Sequence, residues 1–365
     1  MDAQDDPVLA RLVEQVAHAC AHQQPVDIRG GGTKLFYGEP AVGTPLDVSE
    51  LSGITSYEPT ELVVTVRAGT RLSDLEQVLA ERGQCLPFEP PRFAPGGTLG
   101  GMVAAGLSGP ARVSVGSVRD HLLGVTLLNG RCEILTFGGQ VTKNVAGYDV
   151  SRLMAGSLGI LGVICEVSLK VLPLSAAGAT LSFDWDERRA LEQLRGWASQ
   201  PLPMSATAWH DQRLYVRLAG ARAAVSAACA RLGGERLDPE QAASWWMGVR
   251  DHTEEFFLLS EAAMKRGEAL WRLSVPPTAP PLQLPGRQLI EWHGAQRWWK
   301  TATGADEVRA AAARVGGHAT LVRGADKSHG VFAPLSEVLM RIHRGLKQAF
   351  DPAQIFNRGR LYAGL

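Results

Sequence analysis

The chain has 365 residues, and its 37 Lys and Arg residues balance 37 Asp and Glu residues, so the formal net charge is zero. Because the chain has no excess of positive charge, we expect no nucleic-acid partner and no strong attachment to anionic lipid. With 45% hydrophobic and 20% charged residues, the composition predicts a globular protein of two or three domains. The longest apolar run, around 159–165, is far below the ~20 residues that span a bilayer. The beginning, Met1–Asp6, has no features of a secretory signal.

Cysteine usage indicates the redox environment. The cysteines are scattered, and no two of them have the Cys-x-x-Cys spacing: Cys20, Cys85, Cys132, Cys165 and Cys229. This pattern predicts reduced thiols in the cytosol, without a disulfide framework, an iron–sulfur cluster or a zinc site. We therefore expect a cytoplasmic protein with no metal ligands in this chain.

The first predicted elements, in chain order, are a helix and several short strands. Asp6 and Pro7 provide a cap and a first-turn residue for a helix whose apolar residues recur on one face. Strands are predicted at 25–29, 44–48 and 62–66, where β-branched residues are bounded by turn residues. Ser73-Asp74-Leu75-Glu76 has the pattern of a capping box, which predicts a helix that ends near Gly83.

A hairpin is the strongest short-range prediction. Asn129-Gly130 lies between two strand-like runs, 124–128 and 132–137. Residues 163–172 alternate between apolar and polar and stop at Pro173, which predicts another strand. Because strands alternate with only two or three short helices in this half of the chain, the predicted fold class is α+β and not a regular βαβ series.

The region after Pro173 differs in composition, since all the tryptophans lie between Trp185 and Trp299. Helices are predicted at 186–197, 219–232, 306–315 and 333–350, and strands at 209–218 and 270–275. The proline-rich residues 276–285 predict a linker or an edge loop. Five tryptophans either contact another subunit or fill the core of their own domain: Trp245, Trp246, Trp292, Trp298 and Trp299.

Glycine is concentrated in the first half, because 23 of the 40 glycines lie between Arg29 and Lys170. They form four Gly-rich segments, and the first is Arg29-Gly30-Gly31-Gly32-Thr33-Lys34, directly after a predicted strand. Consecutive glycines permit positive φ and turn successive N–H groups toward one point, which makes an anion-binding nest. The alternative interpretation is an ordinary glycine turn.

The second Gly-rich segment is Pro95-Gly96-Gly97-Thr98-Leu99-Gly100-Gly101, and the apolar residues after it predict a helix. Free amides and the dipole at a helix N-terminus favour phosphate. The segment is neither the Rossmann Gly-x-Gly-x-x-Gly nor a P-loop, so nicotinamide and ATP folds lose support. Two phosphate-type loops predict a site for the two phosphates of one pyrophosphate.

The third segment, 116–121, contains Ser117, Arg119 and Asp120, and the Arg–Asp pair either contacts a cofactor or forms a structural ion pair. The fourth is Lys143-Asn144-Val145-Ala146-Gly147-Tyr148-Asp149 followed by 156–164, where glycines alternate with aliphatic residues. That composition predicts an apolar slot for a flat ring such as adenine or a flavin. For Gly159 and Gly162, the alternative is tight packing of a strand on a helix.

In their order along the chain, these segments resemble one family. The motifs in 29–33, 96–101, 116–121, 143–149 and 156–164 are similar to those of the FAD-binding domain of the vanillyl-alcohol-oxidase/p-cresol-methylhydroxylase (PCMH-type) flavoproteins. Through Trp209, 316–320, 332–335 and 350–362, the resemblance extends over nearly the whole chain to the FAD-binding subunits of bacterial glycolate oxidases (glycolate dehydrogenases).

The resemblance implies an α+β fold in three parts. These are a PCMH-type FAD-binding domain of two subdomains over 1–173, an α+β cap domain for substrate or subunit contact over 174–330, and a C-terminal segment, 331–365, that returns to the flavin. Family members with covalent FAD commonly have His in the first loop, where this chain has Thr33, so non-covalent FAD is expected. The residues that the resemblance assigns to the cofactor are Arg29, Gly30, Gly31, Gly32, Thr33, Lys34, Pro95, Gly96, Gly97, Thr98, Leu99, Gly100, Gly101, Ser117, Arg119, Asp120, Gly156, Gly159, Gly162, Val163, Ile164, Asn357 and Arg360.

The resemblance also implies an activity. In the family, a small 2-hydroxy acid, glycolate, is oxidised to glyoxylate, and electrons pass to an iron–sulfur subunit in a complex that has a second FAD-binding catalytic subunit. Such chemistry needs a base for the hydroxyl proton and a cation for the substrate carboxylate. His318 and His329 are the candidate bases, and Arg323 or Arg341 is the candidate carboxylate partner. The metal-binding His segment of the related catalytic subunit has no match here, so no metal is expected.

Alternatives to this activity remain open. The chain is either the oxidising or electron-carrying subunit, or an FAD-binding structural subunit whose flavin does not turn over. A different oxidoreductase of the same fold, such as a peptidoglycan-precursor reductase, is disfavoured because the sequence has no recognisable NADPH site. Any contact with the inner membrane is expected to be peripheral and made through the complex.

Overall fold

The computed structural model describes residues 6–139 and 149–365. The helices of these residues are α1 (Pro7–Ala21), α2 (Leu72–Glu81), α3 (Leu99–Ala105), α4 (Arg112–Val115), α5 (Val118–His121), α6 (Ser151–Met154), α7 (Glu187–Ala198), α8 (Arg222–Leu232), α9 (Pro239–Asp251), α10 (Glu261–Lys265), α11 (Ala305–Arg314) and α12 (Glu337–Phe350). The strands are β1 (Val26–Arg29), β2 (Thr44–Asp47), β3 (Ile54–Glu58), β4 (Val63–Arg67), β5 (Gln84–Cys85), β6 (Leu122–Leu128), β7 (Ile134–Gly138), β8 (Val163–Lys170), β9 (Leu172–Pro173), β10 (Ala177–Asp184), β11 (Met204–His210), β12 (Arg213–Gly220), β13 (Glu235–Arg236), β14 (Ala269–Ser274), β15 (Arg287–Glu291), β16 (Gln296–Thr301) and β17 (His318–Arg323). This mixture of helices and strands confirms the α+β fold class.

The chain divides into two compact units. Of the described residues, those in Met1–Leu107, Ser117–Pro173 and Pro334–Leu365 form unit 1, and those in Ser108–Gly116 and Leu174–Ala333 form unit 2. The sequence gives no sign that Ser108–Gly116 packs with unit 2. The structure shows why it does: Ser114 Oγ donates hydrogen bonds to the carbonyl oxygens of Met204 and Ser205, at 2.9 and 3.0 Å.

Unit 1 is built on an antiparallel sheet with the strand order β3–β4–β8–β6–β7. The predicted hairpin is confirmed, since β6 pairs with β7 and Leu128 lies opposite Ile134. The connection spans 129–133 and is longer than a two-residue turn. Asn129 Oδ1 closes it by accepting from the N–H groups of Arg131 and Glu133, both at 2.9 Å.

Two helices of unit 1 differ in how well local capping signals predict them. Asp6 caps α1 as predicted, with Oδ1 accepting from the N–H of Val8 at 3.0 Å. The predicted capping box at 73–76 is wrong, because α2 begins at Leu72 after Arg71, which makes no side-chain cap bond. The N–H of Leu72 donates to Gly97 O at 2.8 Å, so a tertiary contact fixes this helix start.

The last helix also begins later than predicted, at Glu337, because Ser336 Oγ accepts from the N–H of Leu339 at 3.3 Å. After α12, the chain extends the small parallel sheet of β1 and β2. Val26 N–H donates to Ile355 O at 2.8 Å, and Asn357 N–H donates to Val26 O at 2.9 Å. Hydrogen bonds to β1 therefore fix the position of the C-terminal segment.

Unit 2 is built on an antiparallel sheet with the strand order β13–β10–β12–β11–β15–β16–β14–β17. The predicted single strand over 209–218 is wrong. β11 and β12 form a hairpin that turns at Asp211 and Gln212, whose φ angles are 48° and 62°. The turn contains neither Gly nor Pro, so the sequence pattern does not reveal it. The sequence analysis also predicts none of β10, β15, β16 and β17.

The proline-rich residues 276–285 are part of the core of unit 2 and not only a connection between β14 and β15. Ala279, Leu282 and Leu284 are buried and pack with apolar residues of α11. The buried guanidinium of Arg297 donates to Ala279 O at 3.0 Å and to Gly294 O at 3.0 Å. Backbone carbonyls therefore fix this loop against the sheet.

The tryptophans of unit 2 favour the second of the two alternatives, a role in the core of their own domain. Trp246, Trp298 and Trp299 are at most 5% exposed. Their indole N–H groups have internal acceptors, as in the bonds from Trp298 to Glu291 Oε2 at 2.5 Å and from Trp299 to Pro285 O at 2.9 Å.

Within the described residues, no helix combines the length and apolar character needed to cross a membrane.

Candidate functional site

Unit 1 contains an open cleft that is lined by glycine-rich backbone, charged side chains and aliphatic side chains. Its walls come from the end of β1 and the loop after it, the start of α3, the loop before β8, and the C-terminal segment. The lining residues are Asp27, Ile28, Arg29, Gly30, Gly31, Gly32, Thr33, Lys34, Leu35, Val48, Thr98, Gly100, Gly101, Ala104, Ala105, Leu158, Gly159, Gly162, Ile164, Asn357 and Arg360.

The first two Gly-rich loops meet in this cleft, and only glycine permits the contact. A Cβ atom on Gly30 would overlap the Thr98 hydroxyl, and one on Gly31 would overlap the carbonyl group of Gly96. A Cβ on Gly100 would lie 2.7 Å from the Cβ of Ala68, so this glycine lets α3 approach the end of β4. The glycines are therefore required by close approach between segments that are distant in sequence.

The amides that remain available lie in the first loop and not at the start of α3. Leu99 N–H donates to Thr70 O at 2.9 Å, Gly100 N–H donates to Ala68 O at 2.7 Å, and Gly101 N–H donates to Thr98 Oγ1 at 3.3 Å. The expectation of free amides at this helix N-terminus is thus wrong for these residues. Among the described residues, by contrast, the N–H groups of 30–33 have no protein acceptor. This arrangement matches an anion-binding nest.

Positive charge surrounds the nest. The Arg29 guanidinium pairs with the buried carboxylate of Asp27 at 2.5 Å and remains partly exposed. Lys34 Nζ lies 3.5 Å from Thr33 Oγ1. The guanidinium of Arg360 donates to the backbone carbonyls of Leu35, at 3.0 Å, and Glu39. Burial lowers the pKa of Arg360, against the opposing effect of Asp27 and Glu39, but the group stays cationic.

The cleft also has apolar lining residues. Its aliphatic side chains are Ile28, Val48, Ala104, Ala105, Leu158 and Ile164. Gly159 and Gly162 line the same cleft, and both also satisfy the packing alternative. A Cβ on Gly159 would lie 2.6 Å from Asn357 Nδ2, and a Cβ on Gly162 would lie 2.7 Å from Leu128 O. The lining of one cleft therefore suits both a flat apolar group and an anionic group.

The third Gly-rich segment has a clear structural role. Asp120 Oδ2 accepts from Ser117 N–H and from Ser117 Oγ, both at 2.8 Å, in a capping box at α5. Burial acts to raise the pKa of Asp120, but these bonds and the charges of Arg119 and Arg152 outweigh it and hold the pKa below its ordinary value. Asp120 is thus ionised and tied to Ser117.

The predicted cofactor residues fall into two groups in the described structure. The cleft lining includes Arg29, Gly30, Gly31, Gly32, Thr33, Lys34, Thr98, Gly100, Gly101, Gly159, Gly162, Ile164, Asn357 and Arg360. Of the described residues, the lining leaves out Pro95, Gly96, Gly97, Leu99, Ser117, Arg119, Asp120, Gly156 and Val163. Of the fourth segment, Lys143–Tyr148 lies outside the described residues.

Part of the lining was not predicted from the sequence: Asp27, Ile28, Leu35, Val48, Ala104 and Ala105. Most of these are aliphatic residues, which a sequence pattern assigns to the core. Among these residues, Asp27 is the one that the sequence could have indicated. It lies in a short apolar strand beside an Arg, and a carboxylate buried there requires a partner.

The candidate catalytic residues lie elsewhere. His318 and Arg323 begin and end β17 in unit 2, and His329 follows in the next loop. Burial, with the charge of Arg272, lowers the pKa of His318. His329 Nδ1 lies 3.9 Å from Asp306, and the carbonyl of His329 accepts from Arg309 at 2.7 Å.

The remaining candidate, Arg341, is exposed on α12 of unit 1. Among residues 6–139 and 149–365, no group of three or more His, Cys, Asp and Glu has the arrangement of a metal site.

Comparisons with known proteins agree with this geometry. An FAD binding domain model matches residues 9–138. The chain is 45% identical, over 97% of both chains, to "Glycolate oxidase subunit GlcE" of Escherichia coli (strain K12). It is 34% identical to a D-lactate dehydrogenase of Anaerostipes hadrus, over 41% of this chain and 31% of that protein.

The solved structures give the same fold. An alkyldihydroxyacetonephosphate synthase structure matches with a TM-score of 0.63 at 14% sequence identity, over 95% of this chain and 74% of the other. At this identity the likeness concerns the fold alone.

The fold and the cleft thus define a PCMH-type FAD-binding oxidoreductase. More particularly, the chain belongs to the family of the glycolate oxidase subunit GlcE. The cleft fits FAD on its own geometry. The available amides of 30–33, with Lys34, Arg29 and Arg360, suit a pyrophosphate, and the apolar lining residues suit a flat ring.

Proposed function

We propose that this chain is the FAD-binding subunit of a heteromeric glycolate oxidase. In this proposal it takes part in oxidising glycolate, a 2-hydroxy acid, to glyoxylate, alongside a second FAD-binding catalytic subunit and an iron–sulfur subunit that receives the electrons. The single observation that carries the proposal is the 45% identity to the E. coli subunit over 97% of both chains. The cleft of unit 1 supports it with a binding site for the cofactor.

In the proposal, the first loop and the C-terminal segment hold the cofactor. The N–H groups of 30–33 and the Lys34 ammonium bind the pyrophosphate, while Ala104, Ala105 and Ile164 exclude water from the ring. Bound FAD supplies the two-electron acceptor for the oxidation. Asp27 and Arg360 act less directly, since Asp27 orients Arg29, and Arg360 fixes the loop through its carbonyls.

In the proposal, the proton acceptor comes from outside the cleft. Among the described lining residues, Asp27 is the only carboxylate and no histidine is present, and the Asp27 carboxylate is paired with Arg29. We assign the base to His318 or His329 and the substrate carboxylate to Arg323 or Arg341. Because its pKa lies below the ordinary value, His318 is neutral at pH 7 and can accept a proton.

The alternative is a structural subunit whose FAD does not turn over. It is favoured by the same observation, the lack of an available base among the described residues of the cleft lining. Anaerobic addition of glycolate to the isolated full chain separates the two hypotheses. We expect loss of flavin absorbance near 450 nm for an oxidising subunit, and an unchanged spectrum for a structural one.

Two matched variants identify the base if the flavin is reduced. His318→Gln is expected to slow bleaching by about 100-fold or more, in the range of general-base effects, while His329→Gln leaves the rate near wild type. The opposite ranking would assign the base to His329. Equal rates in both variants would contradict both assignments.

The mode of FAD attachment gives a separate prediction. Thr33 offers a hydroxyl where covalent members of the family commonly have His, so the cofactor is held only by non-covalent contacts. Precipitation with acid should therefore leave the yellow colour in the supernatant. Yellow colour that stays in the protein pellet would contradict this prediction.

A further inference from the structure

The C-terminal segment joins the two walls of the cleft through one side chain. Asn357, with φ of 40°, accepts at Oδ1 from the N–H of Ile28 at 2.7 Å and donates from Nδ2 to Leu158 O at 2.6 Å. Ile28 lies in β1, directly before the first Gly-rich loop, whereas Leu158 lies in the loop before β8, and both residues line the cleft. The position of Asn357 therefore sets the distance between the walls.

A buried ion pair contacts residues that are adjacent in sequence to Asn357 and Gly159. Lys347, in the last turn of α12, and Asp351, just after it, have side chains 2% and 0% exposed, and Lys347 Nζ lies 2.8 Å from Asp351 Oδ2. Lys347 Nζ also donates to Ile160 O at 2.7 Å and to Phe356 O at 2.8 Å. All the donors of the ammonium group are thus used, and two of them go to backbone carbonyls.

Asp351 fixes the same segment from the other side. Its Oδ1 accepts from the N–H of Ile355 at 3.2 Å, and its Oδ2 accepts from the N–H of Phe356 at 2.9 Å. Gly130 permits this placement, because a Cβ there would lie 2.6 Å from Asp351 Oδ1. The backbone of Phe356 is therefore held at both its N–H and its carbonyl, one residue before Asn357.

The pair contacts two backbone positions that adjoin the cleft lining. Ile160 follows Gly159 in the loop before β8, and Phe356 precedes Asn357 in the C-terminal segment. Apolar side chains of similar volume commonly stabilise a buried site as well as an ion pair does, whereas a satisfied polar network also fixes geometry. The chemistry of this pair thus suits positioning better than stability.

We propose that Lys347 and Asp351 are positioning residues that set the affinity of the cleft for FAD by fixing Asn357 between its two walls. The inference rests on the proposed assignment of this cleft to FAD. Neither residue lines the cleft, so their effect on the cofactor is exerted through the backbone of Ile160 and Phe356.

The test measures the FAD dissociation constant of the full chain by flavin fluorescence, after removal and re-addition of the cofactor. Lys347→Met combined with Asp351→Asn removes both charges and leaves no buried charge without its partner. We expect an FAD dissociation constant raised about tenfold or more, with little change in the melting temperature of the apo chain. If this variant does not fold, Lys347→Gln combined with Asp351→Asn, which keeps a polar group but no charge at either position, is expected to show a smaller rise.

A matched control is a partly buried ion pair of unit 1, between Arg67 and Asp6, which lie 2.7 Å apart and do not line the cleft. Arg67→Met combined with Asp6→Asn should leave the FAD dissociation constant unchanged. A cycle with Asn357→Ala tests the route, because the two effects should be less than additive if the pair acts through Asn357.

The outcomes distinguish a failure of the proposed function from a failure of the positioning role. A wild-type chain that binds no FAD would overturn the proposed function. A wild-type chain that binds FAD, with the same dissociation constant in the Lys347 and Asp351 variants, would overturn the positioning role alone. Equal weakening by the Arg67 and Asp6 control would likewise overturn it, because the effect would then be one of general stability.

Discussion

Replacement of Gly31 by alanine is expected to abolish FAD binding at micromolar concentrations. The added Cβ would overlap the carbonyl group of Gly96, so the first and second Gly-rich loops could no longer touch. The atoms that this Cβ would overlap belong to the backbone of Gly96, so no flexible side chain can move away. We expect the FAD dissociation constant to rise by about 100-fold or more, measured by flavin fluorescence.

The matched control for this variant is Gly345→Ala in the same unit. Gly345 lies inside α12, and among the described residues nothing lies within 4 Å of the position that its Cβ would take. Alanine there should raise the free energy of unfolding by about 0.5–1 kcal/mol, since glycine is a poor helix former. FAD binding by Gly31→Ala at wild-type affinity would contradict the contact between the loops as the basis of the site.

The part of the site that local sequence could predict is the part made by glycine. Gly30, Gly31 and Gly32 can be recognised because close approach between loops requires residues without a Cβ atom, and three consecutive glycines show this requirement in the sequence. The lining residue Val48 is not visible in the same way. It reaches the cleft because β1 and β2 pair in parallel, with Arg29 opposite Asp47, and register between separate strands is a tertiary property.

The prediction about the helix N-terminus fails for a related reason. The segment 95–101 has the composition of a phosphate loop, and the sequence alone leaves its amides free. The folded chain brings the carbonyls of Ala68 and Thr70 against the N–H groups of Gly100 and Leu99. Local sequence does not contain these tertiary acceptors, so it could not indicate that the amides of Leu99 and Gly100 are already bonded.

Local sequence also predicts only part of the secondary structure. Helices with a side-chain cap, such as α1 after Asp6 and α7 after Asp186, are close to their predicted bounds because capping is local. Several strands of unit 2 are not predicted from the sequence, such as β17, which pairs with β14 much earlier in the chain. Their stability depends on partners that a window of sequence does not contain.

Acid is expected to destabilise the chain through one histidine of unit 2. His252 packs against Phe257 and Trp298, with ring centroids 4.1 and 4.6 Å away, and burial together with the charges of Arg323 and Arg272 lowers its pKa to about 3. The unfolded chain protonates this residue near pH 6.5, while the folded chain keeps it neutral. Stability is therefore lost as the pH falls below 6.5, by about 3 kcal/mol between pH 7 and pH 4.

The variant His252→Asn isolates this contribution from the other titrating groups. His252 has φ of 57° and ψ of 38°, a left-handed conformation that asparagine tolerates, and asparagine does not titrate. We expect denaturant unfolding, followed by tryptophan fluorescence, to show lower stability than wild type at pH 7 because the ring stacking is lost. Between pH 7 and pH 4, however, the variant should lose less stability than wild type, by about 3 kcal/mol. A residual slope of the same sign is expected from His293 and His318, whose pKa values are also lowered by burial. Equal pH dependence in the variant and the wild type would show that the His252 ring is not kept neutral by its surroundings.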